Sequence, residues 1–350
     1  MRVLLLAGGA GTRLWPLSTE ARPKQFLRLL SSKSLIAETY ERVQPLSEEV
    51  YVATAQEHVQ LVRRELPRLP ASRILSEPSR RNSGPAVLSA ALQFEEEGDA
   101  LTAAVPSDQT AADGEAFRRA LLAAGRTAES ASVVVLAVPA ARPETDYGYL
   151  ELGSETAGEG TDVARFVEKP GPEEADRYVQ AGYFWNAGIF VFRPSRLLTE
   201  ARRVAGDLVR GVETYRKAQK SGRSDLAKRA YAALPAISFD YAVMEKASKV
   251  RAVPLRAGWS DVGTWRSVRD LRGPSDDHGN LILSDRPVLA PGVRHAAIVD
   301  SDNGLLVLPF EHEGELRAAV EKLRGSPAAP TEGRSARKPS RGESSPRRKS

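Results

Sequence analysis

The chain contains no cysteine, and only two methionines and four histidines among its 350 residues. Without cysteine there is no disulfide framework and no thiolate zinc site, and a reducing cytoplasm is compatible with that usage. The four histidines, His58, His278, His295 and His312, are scattered without ligand spacing and read as surface or packing residues. No run approaches the roughly 18 apolar residues of a membrane span. The N-terminal apolar run, Val3 to Ala7, is too short for a signal peptide. A basic body is missing too. The net charge of +5 resides in residues 326–350, which carry seven Arg or Lys and two Glu, so the rest of the chain sums to zero. A neutral body argues against a nucleic-acid surface. A tail rich in Ser, Pro and Arg is expected to be disordered, with nonspecific attraction to polyanions as the alternative.

What is present is an alternation. Buried-strand runs at 2–8, 49–55, 72–75, 101–108 and 132–138 are separated by helical spacing at 34–46, 56–66, 82–97 and 115–130. Ser34 is placed to cap the first helix. Such β-α-β-α order predicts a Rossmann-like α/β fold, a mostly parallel sheet covered on both faces. Ligands bind such sheets at the carboxyl ends of their strands. Further on, "YGYLELG" and "VARFVEKP" read as strands around a Gly-rich turn at 153–160. "WNAGIFVFRPSRLL" reads as a strand running into a helix, and 199–232 as helical. After 273 four short strands are expected, at 280–283, 287–290, 296–301 and 304–310, followed by one helix. The predicted organisation is a catalytic domain over 1–273, a small β-rich domain over 274–325 and a tail over 326–350.

The stretch "LLLAGGAGTRLWPLS" ends the first strand. A dinucleotide fingerprint fails there, because Leu14 stands where the third glycine belongs, and a Walker A loop fails for want of a lysine after the last glycine. What remains is a glycine-rich turn, Gly8, Gly9 and Gly11, whose amides can converge on an anion. Arg13 and the Lys24 of "PKQF" supply cations suited to phosphate. Lys24 is expected on a solvent-facing loop.

"LAGGAGTRLWPLS…RPKQF" resembles the signature of the sugar-1-phosphate nucleotidyltransferases, and Trp15 with Gln25–Phe26 resembles their mannose-1-phosphate guanylyltransferase branch. "SEPSRRNSGPAV", "VPSDQ", "RPETDYGYLEL", "RFVEKP", "YFWNAGIFVFR", "SFDYAVMEK" and "AGWSDVGTW" follow in the family's order, so the resemblance covers roughly residues 2–270. It implies attack of a mannose 1-phosphate oxygen on the α-phosphorus of GTP, releasing pyrophosphate and leaving GDP-mannose. The nucleophile is already an anion, so positioning and charge neutralisation carry the burden.

The resemblance distributes roles over the chain. Leu6, Ala7, Gly8, Gly9, Gly11, Thr12, Arg13, Asn82, Ser107 and Asp108 would bind nucleotide. Gly148, Glu168, Lys169, Asn186 and Asp261 would bind the sugar phosphate. Asp108 and Asp261 would hold Mg²⁺, and Arg13, Lys24, Asp108, Lys169 and Asp261 would be catalytic. Read from the residues alone, Asp108 and Asp261 are ordinary turn carboxylates, Glu168–Lys169 a surface ion pair, and Asn82 or Ser83 a helix cap. Tyr147 and Tyr149 are as compatible with packing as with ligand contact. Gln109 stands where this branch usually has histidine, so a role resting on imidazole titration is in doubt. A different sugar 1-phosphate or nucleotide, and a non-catalytic GDP-mannose sensor, remain alternatives. A cytoplasmic location and a homodimer are expected by resemblance.

Overall fold

The computed structural model describes residues 1–9, 12–155 and 160–325. Gly11, the 156–159 part of the Gly-rich turn, and the 326–350 tail lie outside the described residues. Among the described residues, Met1–Glu313 form one compact unit and those from Gly314 to Gly325 belong to a second.

The strands are β1 (Arg2–Ala7), β2 (Val50–Ala55), β3 (Ile74–Glu77), β4 (Thr102–Pro106), β5 (Thr110–Ala111), β6 (Val133–Pro139) and β7 (Gly148–Glu155). They continue with β8 (Thr161–Glu168), β9 (Phe184–Phe192), β10 (Val250–Pro254), β11 (Trp259–Ser260), β12 (Leu281–Leu283), β13 (Ala296–Ser301) and β14 (Gly304–Pro309). Nine of them build one sheet in the order β3-β2-β1-β4-β9-β6-β10-β8-β7. β3, β2, β1 and β4 run parallel, and β9 runs antiparallel to both β4 and β6. Strand order reverses between β1 and β4, which opens a crevice at their carboxyl ends.

The apolar runs explain the layers. β1 is buried along nearly its whole length. Its Leu4 packs with the helices Ser83–Glu96, Pro194–Val204 and Gly206–Lys220, while Val3 and Leu5 pack on the opposite face with Leu35–Val43 and Gly114–Thr127. Burial of each such side chain contributes about 1.5–3 kcal/mol. Helix starts follow local chemistry. Asp113 accepts from the amides of Glu115 and Ala116, and Asn82 from that of Ser83. Ser34 occupies the cap position of Leu35–Val43, but its hydroxyl makes no capping bond.

Two strand expectations are corrected, at 287–290 and at 72–75. The 287–290 segment is not a strand: Pro287 opens it, Pro291 follows it, and Leu289 is 94 % exposed, so no partner edge buries it. The remaining strands after 273 form a separate three-stranded sheet, β12-β13-β14, inside the first compact unit. The third parallel strand ends at Glu77 rather than residue 75, which places a carboxyl at the crevice.

Candidate active site

A cleft of about 240 Å³ opens at the carboxyl ends of β1, β3 and β4. Leu6, Ala7, Gly8, Gly9, Asn82 and Asp108 all line it. Its entrance loop is braced from behind. The Gln25 amide donates to the Ala7 carbonyl at 2.9 Å, and Thr54 Oγ1 donates to the same oxygen at 3.1 Å. Ser107 is buried, and its hydroxyl donates to the Leu6 carbonyl at 2.8 Å, so it shapes the strand end from within. Thr12 lies in the short turn Thr12–Leu14. Arg13 is exposed and pairs with Asp146 at 2.5 Å.

Lys24 differs from its expected solvent-facing position. It is 6 % exposed, within a short helical turn whose Pro23 fixes the entry angle. Its ammonium lies 3.0 Å from Asp108 Oδ2 and donates to the backbone carbonyl of Asp261. One buried cation therefore joins two carboxylate residues that are 153 positions apart in the chain. Asp261 is oriented in turn by the Tyr147 hydroxyl, which donates to Oδ1 at 2.5 Å, and by the Gly263 amide at 3.1 Å. Tyr147 sits edge-on to Trp185 and Trp259. Burial and the neighbouring Asp261 charge raise the tyrosine's pKa, so it keeps the proton it donates.

Gln109 spans the same region. Its Nε2 donates to the Ala187 carbonyl at 2.8 Å, and its Oε1 accepts from Trp259 Nε1 at 2.9 Å. A neutral imidazole could also donate on one side and accept on the other, so glutamine keeps the bonding pattern without a titrating ring.

The second half of the site gathers at the end of β8. Lys169 adopts a left-handed backbone (φ 49°), which reverses the normal divergence of neighbouring strand side chains. Its Nζ consequently reaches Glu168 Oε1 at 2.6 Å. A Cβ on Gly148 would come within 2.5 Å of Glu168 Oε2, so only glycine leaves that carboxylate its place. Asn186 donates to Asp240 Oδ1 at 2.7 Å and accepts from the Gly188 amide at 2.8 Å. Burial pushes Glu168 up to about 7, the Asp240 charge adds to this, and Lys169 opposes it. Glu168 Oε2 is buried with no partner. An orphaned acceptor of this kind suits a hydroxyl donor brought by a ligand.

Two carboxyls in this region escaped sequence reasoning. Asp240, inside "SFDYAVMEK", lines the cleft and holds Asn186. Glu77, inside "SEPSRR", lines the cleft beside Asn82 and takes a 2.6 Å hydrogen bond from the buried Tyr231 hydroxyl. Burial pushes Glu77 up to about 7 against the effect of that bond. No local pattern marks either residue. Glu77 is covered by the helix Ser224–Ala232, which lies 147 positions further on at its first residue.

Among the described residues no group of three or more His, Asp or Glu side chains is arranged to hold a metal. Lys24 links the Asp108 carboxylate to the backbone of Asp261. No helix among the described residues is long and apolar enough to cross a membrane. His58 is buried with its ring edge-on to Phe26.

The Nucleotidyl transferase family pattern matches residues 2–273. The xanthan biosynthesis protein XanB of Xanthomonas campestris is 36 % identical over 346 residues, covering 92 % of this chain and 73 % of the relative. A mannose-1-phosphate guanylyltransferase of Klebsiella pneumoniae is 34 % identical, with the same two coverages. A crystal structure from Thermus thermophilus, described as a mannose-1-phosphate geranyltransferase, superimposes with a TM-score of 0.82 at 35 % identity, over 92 % of this chain and 99 % of that one. With its cleft at the reversal point of the parallel strands β3, β2, β1 and β4 and its glycine loop at the first strand end, the chain belongs to the nucleotidyl transferase family and is an enzyme of that class.

Proposed function

We propose that the protein joins GTP and α-D-mannose 1-phosphate into GDP-mannose, with pyrophosphate as the second product. A phosphate oxygen of the sugar phosphate forms a bond to the α-phosphorus of GTP. The bond from that phosphorus to the bridging β-phosphate oxygen breaks, and pyrophosphate leaves with the electron pair. Relatives named for this activity or for polysaccharide biosynthesis support the reading. The observation that carries it is Asp240. This residue lines the nucleotide cleft and also holds Asn186 beside Glu168, so a nucleotide in the cleft and a sugar at the Glu168–Asn186 end would be neighbours.

The residues then take roles set by their chemistry. Gly8 and Gly9 admit phosphates without Cβ obstruction. Glu77 offers an acceptor to the N1–H and N2–H edge of guanine, and adenine has no such pair of donors there. Glu168 Oε2 accepts a sugar hydroxyl, and Lys169 meets the sugar phosphate. Lys24 sets its ammonium against the Asp108 carboxylate and the Asp261 carbonyl and offsets repulsion where two phosphates approach. The donor set of Asp108 and Asp261 consists of hard carboxylate oxygens, which with substrate phosphates and water match the preference of Mg²⁺. These two residues would hold the ion, and when bound it would supply further charge neutralisation at the phosphates. Tyr147 and Gln109 hold the carboxylate loops in place. A cytoplasmic location, suited to these substrates, and a homodimer, by family resemblance alone, complete the proposal.

The test is a product assay. Purified protein with Mg²⁺ is given GTP and mannose 1-phosphate, then other nucleotide and sugar phosphate pairs. Formation of GDP-mannose and pyrophosphate supports the proposal. Turnover only with another pair would replace the substrates, and binding of GDP-mannose without turnover with any pair would establish the sensor reading instead.

A further inference from the structure

The three-stranded sheet after residue 273 has no role in the reaction derived above. Its contacts give it one. The glycine loop enters from β1, where Gln25 and Thr54 hold the Ala7 carbonyl at 2.9 and 3.1 Å. The loop's exit is the Trp15–Pro16 pair, and three side chains from much later in the chain hold its two carbonyls. Trp265 Nε1 donates to the Trp15 carbonyl at 3.0 Å. Asn303 Nδ2 donates to the Pro16 carbonyl at 3.0 Å, and Ser301 Oγ donates to the same oxygen at 3.3 Å. Gly304, in the same turn, lies under the Trp15 ring, where a Cβ would come within 2.9 Å of the indole. Its φ of +142° is one that residues with side chains rarely adopt.

We propose that the turn between β13 and β14 is the exit clamp of the nucleotide loop, with Asn303 and Ser301 as positioning residues for the glycines that receive the nucleotide phosphates. A loop held at one end only would sample many positions, and ordering it would have to be repeated at each binding event. Side-chain donors on the Ala7, Trp15 and Pro16 carbonyls fix the flanks of the loop in advance and so lower that cost. Trp265 is the first residue of the helix Trp265–Arg272 and follows Asp261 by four positions, so the same clamp ties the loop to the Asp261 segment. The inference rests on the reading of the cleft as the nucleotide site.

Asn303 is exposed and contributes little packing, so its removal separates positioning from stability. The variants are Asn303→Ala, which deletes the donor, and Asn303→Asp, which keeps the shape and turns an acceptor towards the Pro16 carbonyl. Steady-state kinetics with GTP and mannose 1-phosphate are measured beside thermal melting. The clamp predicts a KM for GTP raised about three- to ten-fold in Asn303→Ala and further in Asn303→Asp, as for loss of one hydrogen bond. The KM for mannose 1-phosphate and the melting temperature stay at their wild-type values. Unchanged GTP kinetics in both variants would overturn the proposal. So would parallel losses for both substrates accompanied by a lower melting temperature. Wild-type enzyme that ignores GTP but uses another nucleotide would refute the substrate reading alone, and the same KM comparison on that nucleotide would then decide the clamp.

Discussion

Lys24 carries more than charge. Its ammonium touches Asp108 and the Asp261 backbone from a buried position. Lys24→Ala should lower kcat by at least about 100-fold, in line with losses on removing an electrostatic group from an active site. It should also destabilise the fold by about 1–2 kcal/mol, because two half-buried acceptors lose their donor. Paired urea melts and rate measurements check both; a rate loss with no change in urea midpoint would show that the lysine bears no structural load. Tyr147→Phe is the complementary case. It keeps the ring against Trp185 and Trp259 but removes the proton donated to Asp261. An expected drop of about 10-fold in kcat, with a stability loss of about 1–2 kcal/mol, follows from loss of a charge-assisted bond. Wild-type rates would mean that Gly263 alone orients Asp261.

Glu77 makes a prediction about pH. Its carboxyl is pushed from the ordinary 4.5 to about 7 in the fold. Between those values the native state holds a proton that the unfolded chain has released. Stability from this group is therefore complete below the unfolded value, falls as pH rises through the window, and levels off above about 7. The full span corresponds to about 3 kcal/mol. Glu77→Gln removes that slope, so the wild type should lose more stability than the variant between pH 5 and pH 8. Equal losses in urea melts would contradict the burial argument.

At the scale of elements, the sequence reads well where one element explains itself. The alternation of apolar runs and helical spacing anticipates β1, β2, β4, β6 and the helices between them, because each segment is buried by its own periodicity. It reads poorly where burial depends on a remote partner. The 287–290 segment has strand-like composition but no edge to join, and Leu289 is left in solvent. Lys24 looks like a loop residue until Asp108 and Asp261 close over it. Glu168 and Lys169 would diverge on a regular strand, and only the left-handed turn at Lys169 brings them together. Gln109 belongs to this scale as well, since one amide connects β5's approach with β9 and β11. Gln109→Met should uncouple those strands and lower kcat about 10-fold, as for two lost half-buried hydrogen bonds. A Gln109→Met, Trp259→Phe double-variant cycle should show strong non-additivity; simple addition of the two effects would mean that the bridge is not functional.

For the whole molecule, topology places the chemistry. Reversal of strand order between β1 and β4 opens the cleft, and β9, antiparallel between β4 and β6, delivers Asn186 to its far side. The motifs "AGGAGTRLWP", "VPSDQ", "RFVEKP" and "GWSDVG" are spread over some 260 positions, and the sheet order brings their functional ends to neighbouring loops. The resemblance of the motifs suggested roles for these residues; the spatial route from Asp108 through Lys24 to Asp261 had no such signal, because no spacing along the chain encodes it. The central claim is that this geometry transfers a guanylyl group to a sugar phosphate. Its most direct test is single-turnover mixing of the enzyme and Mg²⁺ with GTP labelled at the α-phosphate and mannose 1-phosphate. The account predicts that the label appears in GDP-mannose in the wild type and stays in GTP in Asp108→Asn. Label transferred equally well by Asp108→Asn, or found in no sugar nucleotide with the wild type, would contradict it.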